Sequence, residues 1–527
     1  MAKGYRPVDR DQPFLLPPDM REWLPAGHAV WLVIEAVRLL DTSAFHARRR
    51  TGGAGAAGYD PDMLVTLLVW AYANGITSSR RIERLCSQDV AFRVICAGDA
   101  PDHVTIARFR QQFAGTAAAL FAEVLVLCAR LGMGKVGVVA LDGTKIGANA
   151  SKDANRTEAG LRKLAEETAA AHAAADAGED ALFGEGRRGD DDPGDPFTRP
   201  ERVAAALASL EAEREAREAA EREAARERLE AARAGRPLEG RAPRGAETEL
   251  ARLALEREKA AAQARLDDWQ QRAAAAGRAP RGPRPVPPAE HSLVRRAEAK
   301  LARAIAGEAA RAAKEQGKAP AVRNVTDPSS RLMPVRGGGF IQGYNAQNMV
   351  TDDGLILATD LTADTTDTRW WQPMTAAAAA AAAMMAAAGG PGTGKIGLAL
   401  GDAGYLSEAN LTSPGPDRLI ATGKRRDLEK AARAPDEADT GEQESTAAAA
   451  MAARLKTPGG IAAYRQRGRI AETPHARIKH NTGIRRLATR GTRRASGEWQ
   501  LICAAHNLMM AVTSGHLTPQ ALSALAR

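Results

Sequence analysis

Cysteine is scarce: Cys86, Cys96, Cys128 and Cys503 are the only four in 527 residues, and no two form a Cys-x-x-Cys pair. That argues against a structural zinc site and for reduced, buried thiols. Aromatic residues amount to only 4% while alanine is abundant, which points to long alanine-rich helices beside compact cores. The opening MAKGYRPVDRDQPFLLPPDM has no apolar signal core. No later stretch supplies about 18 uncharged residues of real hydrophobic content. Thr375 to Ala388 comes nearest, but it is almost all Ala and Met and reads as an ordinary helix. A cytoplasmic protein is expected.

The formal net charge is +9 with a pI near 9.5, a balance that favours polyanionic partners through counterion release. A chain of 527 residues exceeds one typical domain, so two or more folded units are expected.

Residues 1–130 read as a helical domain. Pro61 opens a helix in which Met63, Leu64, Leu67, Leu68 and Ala71 recur at helical spacing, and Gly75 ends it. Ser78 or Ser79, Asp89, and Asp102 or Thr105 are the caps for three further short helices. Short helices joined by polar turns fit a helix-turn-helix arrangement, with Arg108 and Arg110 exposed on the last one. A plain helical bundle with surface arginines gives the same pattern.

From 134 the chain changes character. Val136 to Leu141 is a short glycine-bounded strand ending at Asp142. Residues 156–320 form an alanine- and charge-rich insertion whose Glu and Arg recur at i,i+3 and i,i+4, which supports exposed helices with little core. Strands return in FIQGYNAQNMV and LILATDLT around a Thr-Asp-Asp-Gly turn in which Gly354 takes positive φ. An alanine helix over 374–390 precedes IGLALG, a second short strand ending at Asp402. Strands alternating with helices give an α/β catalytic domain over 134–155 and 322–515, interrupted by the insertion.

Asp142 and Asp402 thus occupy matching places, in LDGT and GDAG. Carboxylates at strand ends beside glycines suit Mg²⁺, which takes one or two hard carboxylate oxygens plus waters and phosphates. Either aspartate alone is equally readable as a turn or cap residue. A third acid stands out because Arg465 to Arg494 holds ten Lys or Arg and a single acid, Glu472. With Pro474 in its first turn, a helix starting near Glu472 puts His475 and Lys479 on the same face. An acid paired with arginine at a helix start is the simpler alternative. His28, His46, His103, His506 and Asn507 read as structural, and Trp370 and Trp371 as packing residues.

Six segments in order, GYDPDMLVTLLVWAYANGITSSRRIE, PDHVTIARFR, LDGTKIGANAS, GGFIQGYNAQNMV, GDAGYLSEANL and ETPHARIKHNTGIRR, resemble the bacterial insertion-sequence transposases of the DDE class. The resemblance spans most of the chain outside 156–320 and 427–456. It implies a ribonuclease H-like catalytic domain, an N-terminal helical DNA-binding domain, and Asp142, Asp402 and Glu472 as catalytic and metal-binding acids. It also implies a cofactor of two Mg²⁺ ions, or Mn²⁺, and double-stranded DNA as partner, both terminal inverted repeats and target, bound by a homo-oligomer. The related signature Tyr-x2-Arg-x3-Glu-x6-Lys is met by Tyr464, Arg467, Glu472 and Lys479 with one extra residue before the glutamate, so Arg467 and Arg469 compete for the arginine's place. Arg108, Arg110, Arg467, Arg469, Lys479, Arg485 and Arg486 are the expected DNA contacts. Two other classes of reading stay open: a transposase-derived DNA-binding protein without catalysis, and a helical scaffold dominated by the insertion.

Overall fold

In the computed structural model, which describes residues 19–47, 58–113, 115–168, 199–236, 238, 242–316, 320–335, 337–423 and 447–526, seven α-helices precede the first strand among the described residues. They are α1 (Ala29–Arg38), α2 (Ser43–His46), α3 (Pro61–Ala73), α4 (Ser79–Gln88), α5 (Val90–Ile95), α6 (His103–Phe113) and α7 (Ala117–Arg130). Local chemistry sets their starts. Asp60 accepts from the N–H groups of Asp62 and Met63 ahead of Pro61, Asp89 from those of Ala91 and Phe92, and Asp102 from those of Val104 and Thr105. His28 caps α1 in the same way, accepting from Val30 N–H, and its ring packs on Trp70.

Strand β1 (Val138–Gly147) follows, and the chain then enters a separate unit, Asn155–Val325. That unit leaves and returns through an antiparallel pair, β2 (Asn155–Thr157) with β3 (Val322–Asn324). Between them lie residues 158–168, also helical, and α8 (Arg199–Arg233), α9 (Glu247–Ala276) and α10 (Ser292–Gln316). Only small apolar clusters hold it, such as Leu161, Val203, Ala206 and Leu210, or Leu255, Ala262, Val294 and Ala297. Its exposed pairs at helical spacing, Arg226 with Glu223 and Arg252 with Glu249 among them, each add only a few tenths of a kcal/mol, on the order of 0.3–0.5. The acidic sequence GDDDPGDP, residues 189–196, which reads as a linker, lies outside the described residues.

After the insertion come β4 (Arg331–Pro334), β5 (Phe340–Thr351), β6 (Ile356–Thr362), α11 (Trp371–Ala387), β7 (Leu398–Gly401), α12 (Glu408–Thr412) and β8 (Asp417–Ile420). Helices α13 (Ala447–Lys456), α14 (Pro458–Ala476), α15 (Thr492–Thr513) and α16 (Pro519–Leu525) close the chain. The sheet order is β4-β5-β1-β7-β8, with β6 also beside β5. β1, β7 and β8 run parallel, while β5 is antiparallel to its neighbours. At the β5–β6 turn Gly354 has φ +85°, the left-handed conformation expected there.

The N-terminal helices do not close a core of their own, as a free-standing domain over 1–130 would. Val33 of α1, Leu67 of α3 and Leu125 of α7 join Leu357 of β6 and Trp499 and Leu508 of α15 in one continuous core. The amide of Asn507, fully buried in α15, brackets Ile356 by accepting from its N–H and donating to its C=O, so helix and strand are locked in register. His506 Nε2 donates to the Gly354 carbonyl beside it. All four cysteines are buried and free. Trp371 is buried against Tyr405 and Trp370 donates to Asp364, so both indoles pack. Among the described residues no single helix is long and apolar enough to cross a membrane.

Candidate active site

Strand β1 does not stop at Leu141, as its apolar run suggests, but continues to Gly147. The run ends where apolar burial ends, whereas the antiparallel ladder to β5 holds from Val139 opposite Thr351 through Gly147 opposite Gly343. The parallel ladder to β7 is shorter, ending with Ala140 opposite Leu400. Two residues further along that register, Asp142 comes level with Asp402, just past the last residue of β7. Side by side on parallel strands, beyond the point where pairing stops, the two carboxylates share an opening at the strand ends.

Arg467 of α14 joins them. Its Nη2 lies 2.8 Å from Asp142 Oδ1 and 3.5 Å from Asp402 Oδ2. Arg469 points elsewhere and pairs with Asp352, so of these two arginines Arg467 is the one that reaches the paired aspartates. His475 approaches the other oxygen of Asp142, Nδ1 to Oδ2 at 3.6 Å. Its Nε2 faces the Asn348 amide nitrogen at 3.1 Å. The Asn348 oxygen accepts from Thr359 Oγ1 and Trp499 Nε1, which fixes the amide with its NH₂ toward the ring. Nε2 therefore accepts, and Nδ1 carries the proton that faces Asp142.

Burial pushes the Asp142 carboxyl up, but the His475 N–H and the Arg467 guanidinium outweigh it and hold the group below the usual carboxylate range. Asp402 goes the other way: burial raises it, Arg467 opposes, and the neighbouring Asp142 charge raises it further.

Glu472 reaches the site by a different route from the expected one. No helix starts there. α14 begins at Pro458, capped by Thr457, and runs through Pro474. Proline has no N–H to give the Ile470 carbonyl, and the helix widens immediately afterwards into a π turn over Arg477–Asn481. The shared face survives: Ile461, Gly468, Glu472, His475 and Lys479 all line the cavity that Asp142 and Asp402 open into, of about 1050 Å³. Glu472 is exposed, with no hydrogen bond or ion pair among the described residues.

Lys479 is less exposed. Its ammonium donates to Thr144 Oγ1 at 2.5 Å and to the Lys145 carbonyl at 2.6 Å. Burial depresses it to about 8, with Asp142 pulling upward and Arg485 and Lys145 pushing down. The unfolded chain keeps that proton to about pH 10.4. Between these values the unfolded state binds more protons, so this group's contribution to stability rises with pH from about 8 to about 10.4. Lys479→Met should flatten that rise, read from urea midpoints between pH 7 and 10; an unchanged rise contradicts the assignment.

The remaining expected cations divide. Arg108 is exposed on α6. Arg110 is not exposed: it donates to Thr77 C=O, Ser79 Oγ and Tyr72 OH, because a tyrosine and a buried carboxylate behind it draw the guanidinium inward. Arg485 is exposed and donates to Lys479 C=O. Arg486 is spent on the carbonyls of Ala148 and Ala150, where it straps the end of β1.

Asp142 and Asp402 offer hard oxygens around one cationic nitrogen at the mouth of a wide cavity, a donor pair that fits a Mg²⁺-type ion. Glu472 lines the same cavity without joining them in a tight trio. Among the described residues, three potential ligand atoms mutually within 4.8 Å are found at His46, Asp60 and Asp62 instead. There Asp60 caps α3 and Asp62 accepts from Thr42, so helix-end chemistry explains the grouping. Sequence reasoning missed Lys145, Asn348 and Asp367, which also crowd the strand ends; Asp367 in TTDTRWW carries only the signal of a helix cap.

Two family models match the chain. One, described as a transposase domain, covers residues 18–112, hence α1 to α6. The other, described as a transposase DDE domain, covers residues 430–511 and so includes Arg467, Glu472, His475 and Lys479. Asp142 and Asp402 lie outside both. No curated protein and no solved structure matches. Both matched regions are transposase regions, one of them holding the helix that carries Arg467 and Glu472, and together they support an insertion-sequence transposase of the DDE class.

Proposed function

We propose that this transposase cleaves DNA at transposon ends and joins the freed strands to target DNA, with Asp142, Asp402 and Glu472 as its catalytic acids. The observation that carries the reading is the register that sets Asp142 level with Asp402, 260 residues away, at a cavity also lined by Glu472. The sheet order, with β5 the antiparallel member, supports a ribonuclease H-like catalytic domain. The short capped helices α4 to α6, with Arg108 exposed, support a helix-turn-helix-like DNA-binding region.

In cleavage, water attacks the phosphorus at the transposon end and the leaving oxygen departs as a 3′-hydroxyl. In transfer, that hydroxyl attacks a target phosphodiester and displaces its 3′ oxygen. Two Mg²⁺ ions, or Mn²⁺, held by the three acids would supply charge neutralisation at phosphorus and a more acidic attacking oxygen. His475 and Arg467 fix Asp142 from two sides, so its carboxylate has one orientation. Lys145 and Lys479, on the cavity wall, hold flanking phosphates. The substrate is double-stranded DNA, engaged by a homo-oligomer in the cytoplasm.

A supercoiled plasmid carrying the element's ends, incubated with Mg²⁺, should be nicked by the wild type. Asp402→Ala and Glu472→Gln should lose nicking while retaining DNA binding in a mobility-shift assay. Full activity in either variant removes that residue from the set.

A further inference from the structure

Asp367, in the turn between β6 and α11, reaches the strand ends from the sheet face opposite His475. Asn345 and Gln347 alternate on β5 toward that face, opposite Lys145 and Gly143 of β1. Both amides donate to Asp367 Oδ1, at 2.6 and 2.7 Å, and Gln347 is itself held by the Tyr405 hydroxyl. Lys145 Nζ comes to 3.7 Å of the same oxygen. Oδ1 is thereby saturated. Oδ2 has no hydrogen bond among the described residues.

Two glycines make room for this carboxylate. A Cβ on Gly143, the residue after Asp142, would fall 2.5 Å from Asp367 Oδ1 and 2.6 Å from Gln347 Nε2. A Cβ on Gly404 would fall 2.9 Å from Asp402 Oδ1 and 3.4 Å from Asp367 Oδ2, so oxygens of both acids converge on that point. A second, independent feature lies beside Gly143. The Asn345 side chain is fully buried, yet its Oδ1 has no hydrogen-bond partner among the described residues and lies 3.1 Å from the Gly143 Cβ position. A buried acceptor without a donor calls for an ion or its water.

We propose that Asp367 is a fourth carboxylate of the cation centre, binding through Oδ2 alongside Asp402, with the unpartnered Asn345 oxygen on the Gly143 side of the same carboxylate. This rests on the cleavage reading above. Hard oxygens from carboxylates and an amide are the donors a Mg²⁺ or Mn²⁺ ion accepts, and the amides on Oδ1 hold the ligand in one orientation, as outer partners of metal ligands do.

The test titrates the full chain with Mn²⁺ alone and reads free Mn²⁺ by electron paramagnetic resonance. Asp367→Asn keeps an oxygen for Asn345 and Gln347 and alters only the Oδ2 position. It should weaken Mn²⁺ binding by about tenfold or more, with an unchanged thermal midpoint. Asp367→Glu keeps the charge and displaces the oxygen by one methylene; it should weaken binding as well, which separates ligation from a through-space effect of charge. Wild-type affinity in Asp367→Asn, or in Asp367→Glu should the first variant not fold, overturns the proposal. If Asp142→Asn loses Mn²⁺ at the same time, the cleavage reading stands without Asp367. No Mn²⁺ binding by the wild type overturns both.

Discussion

Replacing Asp142 by alanine should abolish strand cleavage, a loss of at least about 10²–10³-fold, the scale on which a single electrostatic group at a reacting centre acts. Three consequences converge on this one residue. The carboxylate that fits the ion is removed. Arg467, which spans Asp142 and Asp402, falls onto Asp402 alone. The His475 N–H, fixed toward Asp142 by the Asn348 amide behind it, loses its acceptor. Asp142→Asn separates these, because it keeps the shape and an oxygen while removing the charge. Cleavage should vanish equally in both variants. An asparagine variant that retains wild-type nicking would show that charge at this position is not used.

The largest effect on stability is expected at Glu498. This residue of α15 is 3% exposed. Its carboxylate accepts from the N–H groups of Ala488 and Thr489, from Thr489 Oγ1, and from the Tyr72 hydroxyl of α3 at 2.8 Å. Tyr72 OH in turn accepts from Arg110 of α6. The acid is therefore the end of a buried chain that ties α3, α6 and α15 to the segment after the π turn. Glu498→Ala strands two backbone donors and leaves the Arg110 guanidinium without a counter-charge, which should cost about 3–5 kcal/mol. Glu498→Gln keeps an acceptor and should cost less. Guanidinium unfolding measures both; a change within about 1 kcal/mol for the alanine variant would mean that the network contributes little.

Much of this was legible in residue order because it is local. Asp60, Asp89 and Asp102 announce their helices since a cap acts across three residues. Gly354 announces its turn for the same reason. The limits of the insertion follow from where large apolar residues thin out. Long-range facts were not legible. Nothing within LDGT says that β1 continues past its aspartate, because the pairing that extends it comes from β5, some 200 residues on. Arg110 looks like any exposed helical arginine until Tyr72 and Glu498 are placed behind it. Glu498, in SGEWQ, carries no mark of burial. Pro474 suggested a helix start by its usual habit, but a long helix tolerated it and relaxed into a π turn. At the candidate site the pattern marked Asp142, Asp402 and the Glu472, His475 and Lys479 face, all of which line one cavity. It missed Asp367, whose neighbours are two glycines and two amides brought together only by the sheet.

Three acids working as one unit should show it in the arithmetic of their loss. The decisive measurement is Mg²⁺-dependent nicking of a supercoiled plasmid by Asp142→Ala, Asp402→Ala and Glu472→Gln, singly and combined. Each single variant should fall to the level of the triple variant, and wild-type nicking in any one of them would contradict a shared centre.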